Sequence, residues 1–295
     1  MDIPRAAYRL QFNGAFRFRD AEALAPYLAD LGISHVYASP IFKARKGSPH
    51  GYDIVDPNEI NPELGTQADF EALVAALKRR GIGWIQDVVP NHMAYDGDNP
   101  YLADVLEKGH SSRFAGVFDI DWESGGGSLR GRDPEPLLAP FLGWPYAECL
   151  ERGEMKIRLG ASGLVVQVGG LHFPVNAKSY AAILGPVPGR PAAIAASIKH
   201  SGDSLTDDEF TRLKQELRGL YEAGGAERQL IDARLEEVNG SPGHPESFAT
   251  LGAVLSSQYY RLEHWRLSAE EINYRRFFDV SGLIGVRVGT ATCSA

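Results

Sequence analysis

Two short loops hold the residues whose types and spacing suggest chemistry. In Gly47-Ser48-Pro49-His50-Gly51-Tyr52-Asp53, glycines let a backbone approach a ligand closely, and Tyr52 offers a flat face and a hydroxyl, which suits a sugar ring. His50 adjoins that tyrosine and is placed to touch the same ligand. Turn chemistry accounts for this loop equally well, with Asp53 capping a turn. In Asp87-Val88-Val89-Pro90-Asn91-His92, His92 is suited to hydrogen-bond a hydroxyl while Asp87 orients it. The bland account is a packed loop histidine, with Asp87 and Asn91 satisfying backbone groups. Position adds weight to the chemical account, because the carboxyl ends of parallel strands are where barrel loops converge. The residues alone leave both accounts open.

The elements that must position these loops read as strand–helix units over the first 92 residues. Ala6 to Phe12 alternates as a strand, and Asp20 is a candidate cap for a helix from Ala21 to about Leu31. Ile33 to Ser39 is a second strand stopped by Pro40, and Lys43 to Gly65 reads as a long Gly/Pro/Asn-rich loop. Thr66 caps a helix running through Arg80, with Phe70, Leu73, Val74 and Leu77 as its buried stripe. Trp84 to Val89 forms a third strand. This alternation predicts parallel βαβ units, hence a doubly wound sheet or a (β/α)8 barrel.

After His92 the pattern changes. Residues 93 to about 145 are rich in Asp, Gly and Pro, and Met155 to Val175 predicts a small antiparallel hairpin or meander. Asp207 to Val238 predicts one or two charge-laced helices, and Ser247 to Trp265 has helical spacing through Leu251, Val254, Leu255, Tyr259 and Leu262.

Composition narrows the function classes. The 295 residues are 44% hydrophobic and 23% charged, as a globular chain should be, and carry a formal charge of −8. That balance argues against a nucleic-acid partner. No apolar run is long enough to span a membrane and no signal peptide is visible, so a cytoplasmic protein is expected. Cys149 and Cys293 are too few for a disulfide framework or a thiolate metal site, and no metal or cofactor is expected.

Asp87 to His92 resembles the first conserved block of the α-amylase superfamily, Asp-x-x-x-x-His with Asn before the histidine. The resemblance is closer to its maltooligosyl trehalose synthase family. It is carried by Tyr8-Arg9-Leu10-Gln11-Phe12, Ser34 to Pro40, His50 to Asp53, Asn61 to Gly65, Asp87 to Met93, Ser111 to Phe114, Phe118 to Trp122 and Glu271 to Asp279, in order over residues 5 to 288. The resemblance implies the N-terminal part of a (β/α)8 TIM barrel, strands 1–3, with a mixed α/β subdomain inserted after strand three. The expected boundaries are 1–92 for the first barrel units, 93–245 for the insertion, 246–288 for the return to the barrel and 289–295 for an atypical tail. The implied activity, part of trehalose biosynthesis, converts the reducing-end α-1,4 bond of a maltooligosaccharide to α,α-1,1 by retaining intramolecular transglycosylation. By resemblance Tyr52 stacks on the sugar with Asp53 beside it, His92 binds a hydroxyl, and Asp87 and Asn91 support the loop. Trp122 and Trp144 are candidate cleft residues, and Arg275 and Arg276 candidate partners for carboxylates elsewhere in the barrel.

The sequence offers no convincing copy of the superfamily's bond-breaking residues. Retaining chemistry needs two carboxyl groups about 5–5.5 Å apart, and the superfamily places its nucleophile in a Gly-x-Arg-x-Asp block. Gly285-Val286-Arg287-Val288-Gly289 imitates that block but ends in glycine. No catalytic residue is therefore assigned. A whole barrel takes roughly 250 residues without any insertion, so the chain is expected to stop before the catalytic strand, by natural truncation, frameshift or a cut. Two alternatives remain: an α-amylase-like hydrolase, or an inactive maltooligosaccharide-binding fragment. An open barrel edge would also favour self-association.

Overall fold

The computed structural model describes residues 3–123 and 135–288. The first half runs β1 (Ala7–Leu10), α1 (Phe18–Asp30), β2 (His35–Ala38), β3 (Phe42–Ala44), β4 (Ile54–Ile60), α2 (Gln67–Lys78), β5 (Gly83–Gln86), β6 (His92–Ala94) and α3 (Pro100–Lys108). Then follow β7 (Leu137–Leu142), α4 (Tyr146–Glu151), β8 (Met155–Gly160), β9 (Gly163–Val168), β10 (Leu171–Pro174), α5 (Tyr180–Leu184) and α6 (Arg190–Ser201). The chain ends with α7 (Asp207–Ala223), α8 (Gly225–Asn239), α9 (Ala249–Ser256), β11 (Tyr260–His264), β12 (Arg276–Phe277) and β13 (Val280–Gly285).

These elements form two compact units, Met1–Pro100 with Arg276–Ala295, and Tyr101–Arg275. The boundaries differ from the expected 92/93 and 245/246 for visible reasons. Residues 92–94 stay in the first unit because β6 pairs antiparallel with β13, and 249–264 stay in the second because β11 pairs with β7. The expected tail, 289–295, lies outside the described residues.

In the first unit β1, β2 and β5 form a parallel sheet in the order β1-β2-β5. Side chains alternate between its faces. One face sends Leu10, Phe12, Val36, Ala38 and Trp84 onto Phe18, Ala21, Ala25 and Leu28 of α1 and Leu73, Ala76 and Leu77 of α2. Each large apolar side chain buried here contributes about 1.5–3 kcal/mol, and Leu73→Ala would cost about 2–5 kcal/mol. Helix α2 starts as read: the Thr66 hydroxyl accepts from the Asp69 amide and the Asp69 carboxylate accepts from the Thr66 amide. Helix α1 starts earlier, at Phe18 after Arg17, so Asp20 caps from inside the first turn, accepting from the Arg17 amide at 2.7 Å.

Two expectations for this unit are corrected. The long loop from Lys43 contains an antiparallel pair, β3 with β4. Its glycines and Pro49 cluster at the turn, while Ala44, Ile54 and Val55 bury themselves in the ladder. His92 is the first residue of a strand, paired with Gly285, and not a loop residue.

In the second unit the meander expected near 155–175 is β8-β9-β10, antiparallel throughout. Helices α7 and α8 are separated at Gly224, whose φ of +76° stops the first. The helical run read through Trp265 stops at Ser256. Gln258 Nε2 turns back to the Val254 carbonyl at 2.6 Å, and Tyr260 onward pairs in parallel with β7.

Candidate functional site

Strand register sets the frame of the site. Arg9 pairs with Tyr37 and Tyr37 with Ile85, so Arg9, Tyr37 and, two residues beyond Ile85, Asp87 share the sheet face turned away from the helices. The Arg9 guanidinium lies 4.4 Å over the Tyr37 ring. Asp87 continues the ladder beyond β5, its amide donating to the Ala38 carbonyl at 3.0 Å.

Asp87 Oδ2 is the hub. It accepts from the Tyr52 hydroxyl at 2.5 Å, from Arg9 Nη1 at 3.1 Å and from the Tyr37 hydroxyl at 3.2 Å. Burial alone would raise its pKa, but the three donors and the Arg9 charge outweigh burial and hold the carboxyl below its usual range. Asp87 is thus kept ionised. The same bond to Asp87, followed by burial, raises the Tyr52 phenol above its ordinary value, while Arg9 opposes the shift. Arg9 Nη2 also donates to the Tyr52 hydroxyl at 2.8 Å, so the ring is fixed at its far end by two charged groups.

The backbone fixes its near end. Gly51 has φ +77°, and a Cβ there would meet the Pro40 carbonyl oxygen at 2.8 Å, so only glycine fits without a shift. Ser48 Oγ accepts from the Gly51 amide at 3.1 Å and donates to Asp53 Oδ1 at 2.5 Å. The Asp53 carboxylate is therefore bound into its own loop. His50 Nδ1 accepts from the Tyr52 amide at 3.0 Å. It also lies 3.7 Å from Asp53 Oδ1, but a nitrogen that accepts from an amide carries no proton to share. His50 therefore bears its hydrogen on Nε2 in this arrangement.

His92 is buried, 2% exposed. Its Nε2 lies 3.0 Å from the Tyr52 carbonyl and its Nδ1 2.6 Å from Asn91 Oδ1. The carbonyl fixes a proton on Nε2. Nδ1 then needs either a second proton or an Asn91 amide turned to donate. The His92 ring stacks on Phe277 at 4.1 Å and 23°. Phe277 in turn meets Phe278 edge-on at 4.4 Å. Phe278 is 81% exposed with φ +52°, a conformation that costs a bulky residue on the order of 1–2 kcal/mol.

All six residues singled out in the sequence, His50, Tyr52, Asp53, Asp87, Asn91 and His92, thus join one connected set. Arg9, Tyr37, Phe277 and Phe278 were missed as members. Only the parallel register of β1 and β2 brings the first two together. Arg275 and Arg276 already have partners in the chain, Asp119 Oδ2 at 2.8 Å and Asp279 Oδ1 at 3.4 Å. No helix among the described residues is long and apolar enough to cross a membrane.

Comparison with known proteins gives this geometry its context. The α-amylase catalytic-domain family matches residues 22–113. A putative maltooligosyl trehalose synthase of Mycobacterium tuberculosis is 47% identical over 145 residues, 47% of this chain and 18% of that protein. The solved structure of a hypothetical maltooligosyl trehalose synthase from Sulfolobus tokodaii superposes over 99% of this chain and 29% of its own, with TM-score 0.63 and 29% identity. The chain resembles the N-terminal part of the maltooligosyl trehalose synthases. The synthase from Arthrobacter ramosus covers 97% of this chain at TM-score 0.63 and 28% identity, with 27% of its own length matched. This chain thus spans less than a third of the solved synthases it matches. Its fold is an α/β portion of the TIM-barrel type, and its likeness is to enzymes of the glycosidase and transglycosylase kind. An α-amylase is similar to part of the chain as well: α-amylase 2 of Dictyoglomus thermophilum is 45% identical over 86 residues, 29% of this chain and 15% of its own.

Proposed function

We propose that the chain is the sugar-gripping part of a maltooligosyl trehalose synthase. The full enzyme would turn the reducing-end α-1,4 bond of a maltooligosaccharide into an α,α-1,1 bond by retaining intramolecular transglycosylation. The observation that carries this reading is the Tyr52 ring, clamped at its hydroxyl by Asp87 and Arg9 and at its backbone by His92 and His50. A ring held at both ends presents a flat face at little entropic cost, and such preorganisation favours stacking on a sugar. His50 and Asp53 flank the sugar. His92 reaches a sugar hydroxyl by exchanging Asn91 for it at Nδ1, since Nε2 is committed to Tyr52.

Asp87 is not the bond-breaking acid in this reading. A carboxylate with three donors on one oxygen, and with its pKa lowered, neither donates a proton nor attacks an anomeric carbon readily. The retaining carboxylate pair belongs to residues outside this site. The Tyr101–Arg275 unit is the segment inserted after the third barrel strand, and the protein acts in the cytoplasm without metal or cofactor. β1 and β5 are the outer strands of their three-stranded sheet, and such edges favour self-association of the chain alone. A polypeptide extended through a Gly-x-Arg-x-Asp block, incubated with maltopentaose, tests the activity. Loss of reducing ends without release of glucose supports the synthase; gain of reducing ends supports an α-amylase-like hydrolase and refutes this reading.

A further inference from the structure

The second unit carries two exposed tryptophans that the site above does not use. Trp144 and Trp265 are 48% and 55% exposed. They leave the same end of one two-stranded parallel sheet: β7 and β11 are in register at Leu142 and His264, and each tryptophan follows within two residues. Each indole has a guanidinium over its ring, Arg152 at 5.0 Å and Arg266 at 5.4 Å, which holds the ring in place. A cavity of about 270 Å³ is lined by Tyr146, two residues after Trp144, and by Glu263, two residues before Trp265, together with Leu255, Arg261 and Leu262. That volume falls just below the ~300 Å³ at which pockets for drug-sized ligands begin; it suits a single ring.

The charges around this surface decide the ligand class. Arg261 is paired with Glu263 at 3.0 Å and Glu271 at 2.6 Å. Arg152 is paired with Glu148 at 3.2 Å and Glu154 at 2.8 Å. Arg152 and Arg261 are therefore balanced by carboxylates, and Arg266 lies over the Trp265 ring, which disfavours an anionic ligand. Fixed aromatic faces beside a charge-balanced fork of donors and acceptors suit a neutral polyhydroxy ring, which stacks its C–H face and hydrogen-bonds at its edge. Two indoles and a pocket suit more than one such ring.

We infer that Trp144, Trp265 and the Tyr146–Arg261–Glu263 cavity form a second saccharide-binding site, separate from Tyr52 and His92, for a linear α-glucan. Only the choice of an α-glucan rests on the function proposed above. Titration of the whole chain, with its tryptophans labelled with ¹⁵N, by maltohexaose tests the inference through the indole N–H signals, assigned with Trp144→Phe and Trp265→Phe. The Trp144 and Trp265 signals move saturably while Trp84, packed against the core, stays still. The shifts persist in Tyr52→Ala, and Tyr146→Ala weakens the binding they report about tenfold. If neither indole moves, if cellohexaose moves both as much, or if Tyr52→Ala abolishes the shifts, the inference is overturned. It is likewise overturned if sedimentation shows a dimer that Trp265→Ala dissociates, because the indoles then serve a second copy. Failure of the Tyr52 reading shows separately, as sugar binding that Tyr52→Ala leaves unchanged in a Trp144→Ala/Trp265→Ala background.

Discussion

Asp87→Asn isolates the hub of the site. The substitution keeps the shape of the side chain but removes the charge that gathers the Tyr52 hydroxyl, Arg9 and the Tyr37 hydroxyl on one oxygen. A hydrogen bond to a charged group contributes about 1.5–3 kcal/mol. Arg9 is 34% exposed in its side chain and Asp87 17%, so solvent weakens the ion pair itself. The amide oxygen still accepts from one tyrosine. The expected net loss is about 2 kcal/mol at pH 7, or about 1 M in the urea midpoint at a typical slope of ~2 kcal/mol per M. The pH dependence carries the stricter test. Asp87 has its pKa lowered from the ordinary 3.8, so the folded state binds its proton less tightly than the unfolded state. Its contribution is therefore complete above the unfolded value and is lost as pH falls through the folded one. Asp69, held at about 2 by the Thr66 backbone and by Arg19, makes both proteins acid-labile, but subtraction removes that shared part. Urea melts of the two proteins at pH 7, 5, 4 and 3 should show the gap narrowing below about pH 4. A gap absent at pH 7, or one that widens on acidification, refutes the hub.

Other substitutions probe the neighbouring contacts. Gly51→Ala forces a Cβ against the Pro40 carbonyl at φ +77° and should cost about 1–3 kcal/mol in thermal or urea unfolding; a neutral result removes the claim that glycine is required there. Tyr52 is among the tyrosines raised above the ordinary value of 10.0, in its case because Asp87 disfavours the anion; the difference between alkaline ultraviolet titrations of the chain and of Tyr52→Phe should therefore be a single component that ionises above that value. Phe278→Gly relieves a left-handed phenylalanine, so it should leave stability unchanged or raise it by up to ~1 kcal/mol, whereas Phe278→Ala should give no such gain. In the second unit Lys214 neutralises the buried Glu107 at 2.8 Å; Lys214→Met should cost about 3–5 kcal/mol, much of it recovered in the double variant with Glu107→Gln.

The parallel sheet was legible because its strands are short apolar runs and its helices begin at readable caps, Thr66 with Asp69 above all. The β3–β4 pair was hidden by its own turn, whose glycines and Pro49 made the whole stretch read as loop. Leu251, Val254, Leu255, Tyr259 and Leu262 fit helical spacing, yet Tyr260 and Leu262 fit a strand with alternate burial equally well. Apolar period alone does not separate the two for a short run; the polar Ser256-Ser257-Gln258 break does. In the site, Tyr52 and Asp87 were visible as residue types in suggestive loops. That Arg9 and Tyr37 stand on the same face follows only from parallel register, and that Phe277 stacks on His92 depends on a strand pairing formed across most of the chain. No local pattern encodes it.

Isothermal titration of maltohexaose into the Trp144→Ala/Trp265→Ala chain, with and without Tyr52→Ala, tests the account most directly. A grip centred on the clamped tyrosine predicts saturable heat that disappears when the ring is removed. No heat at millimolar sugar, or heat indifferent to residue 52, would contradict it.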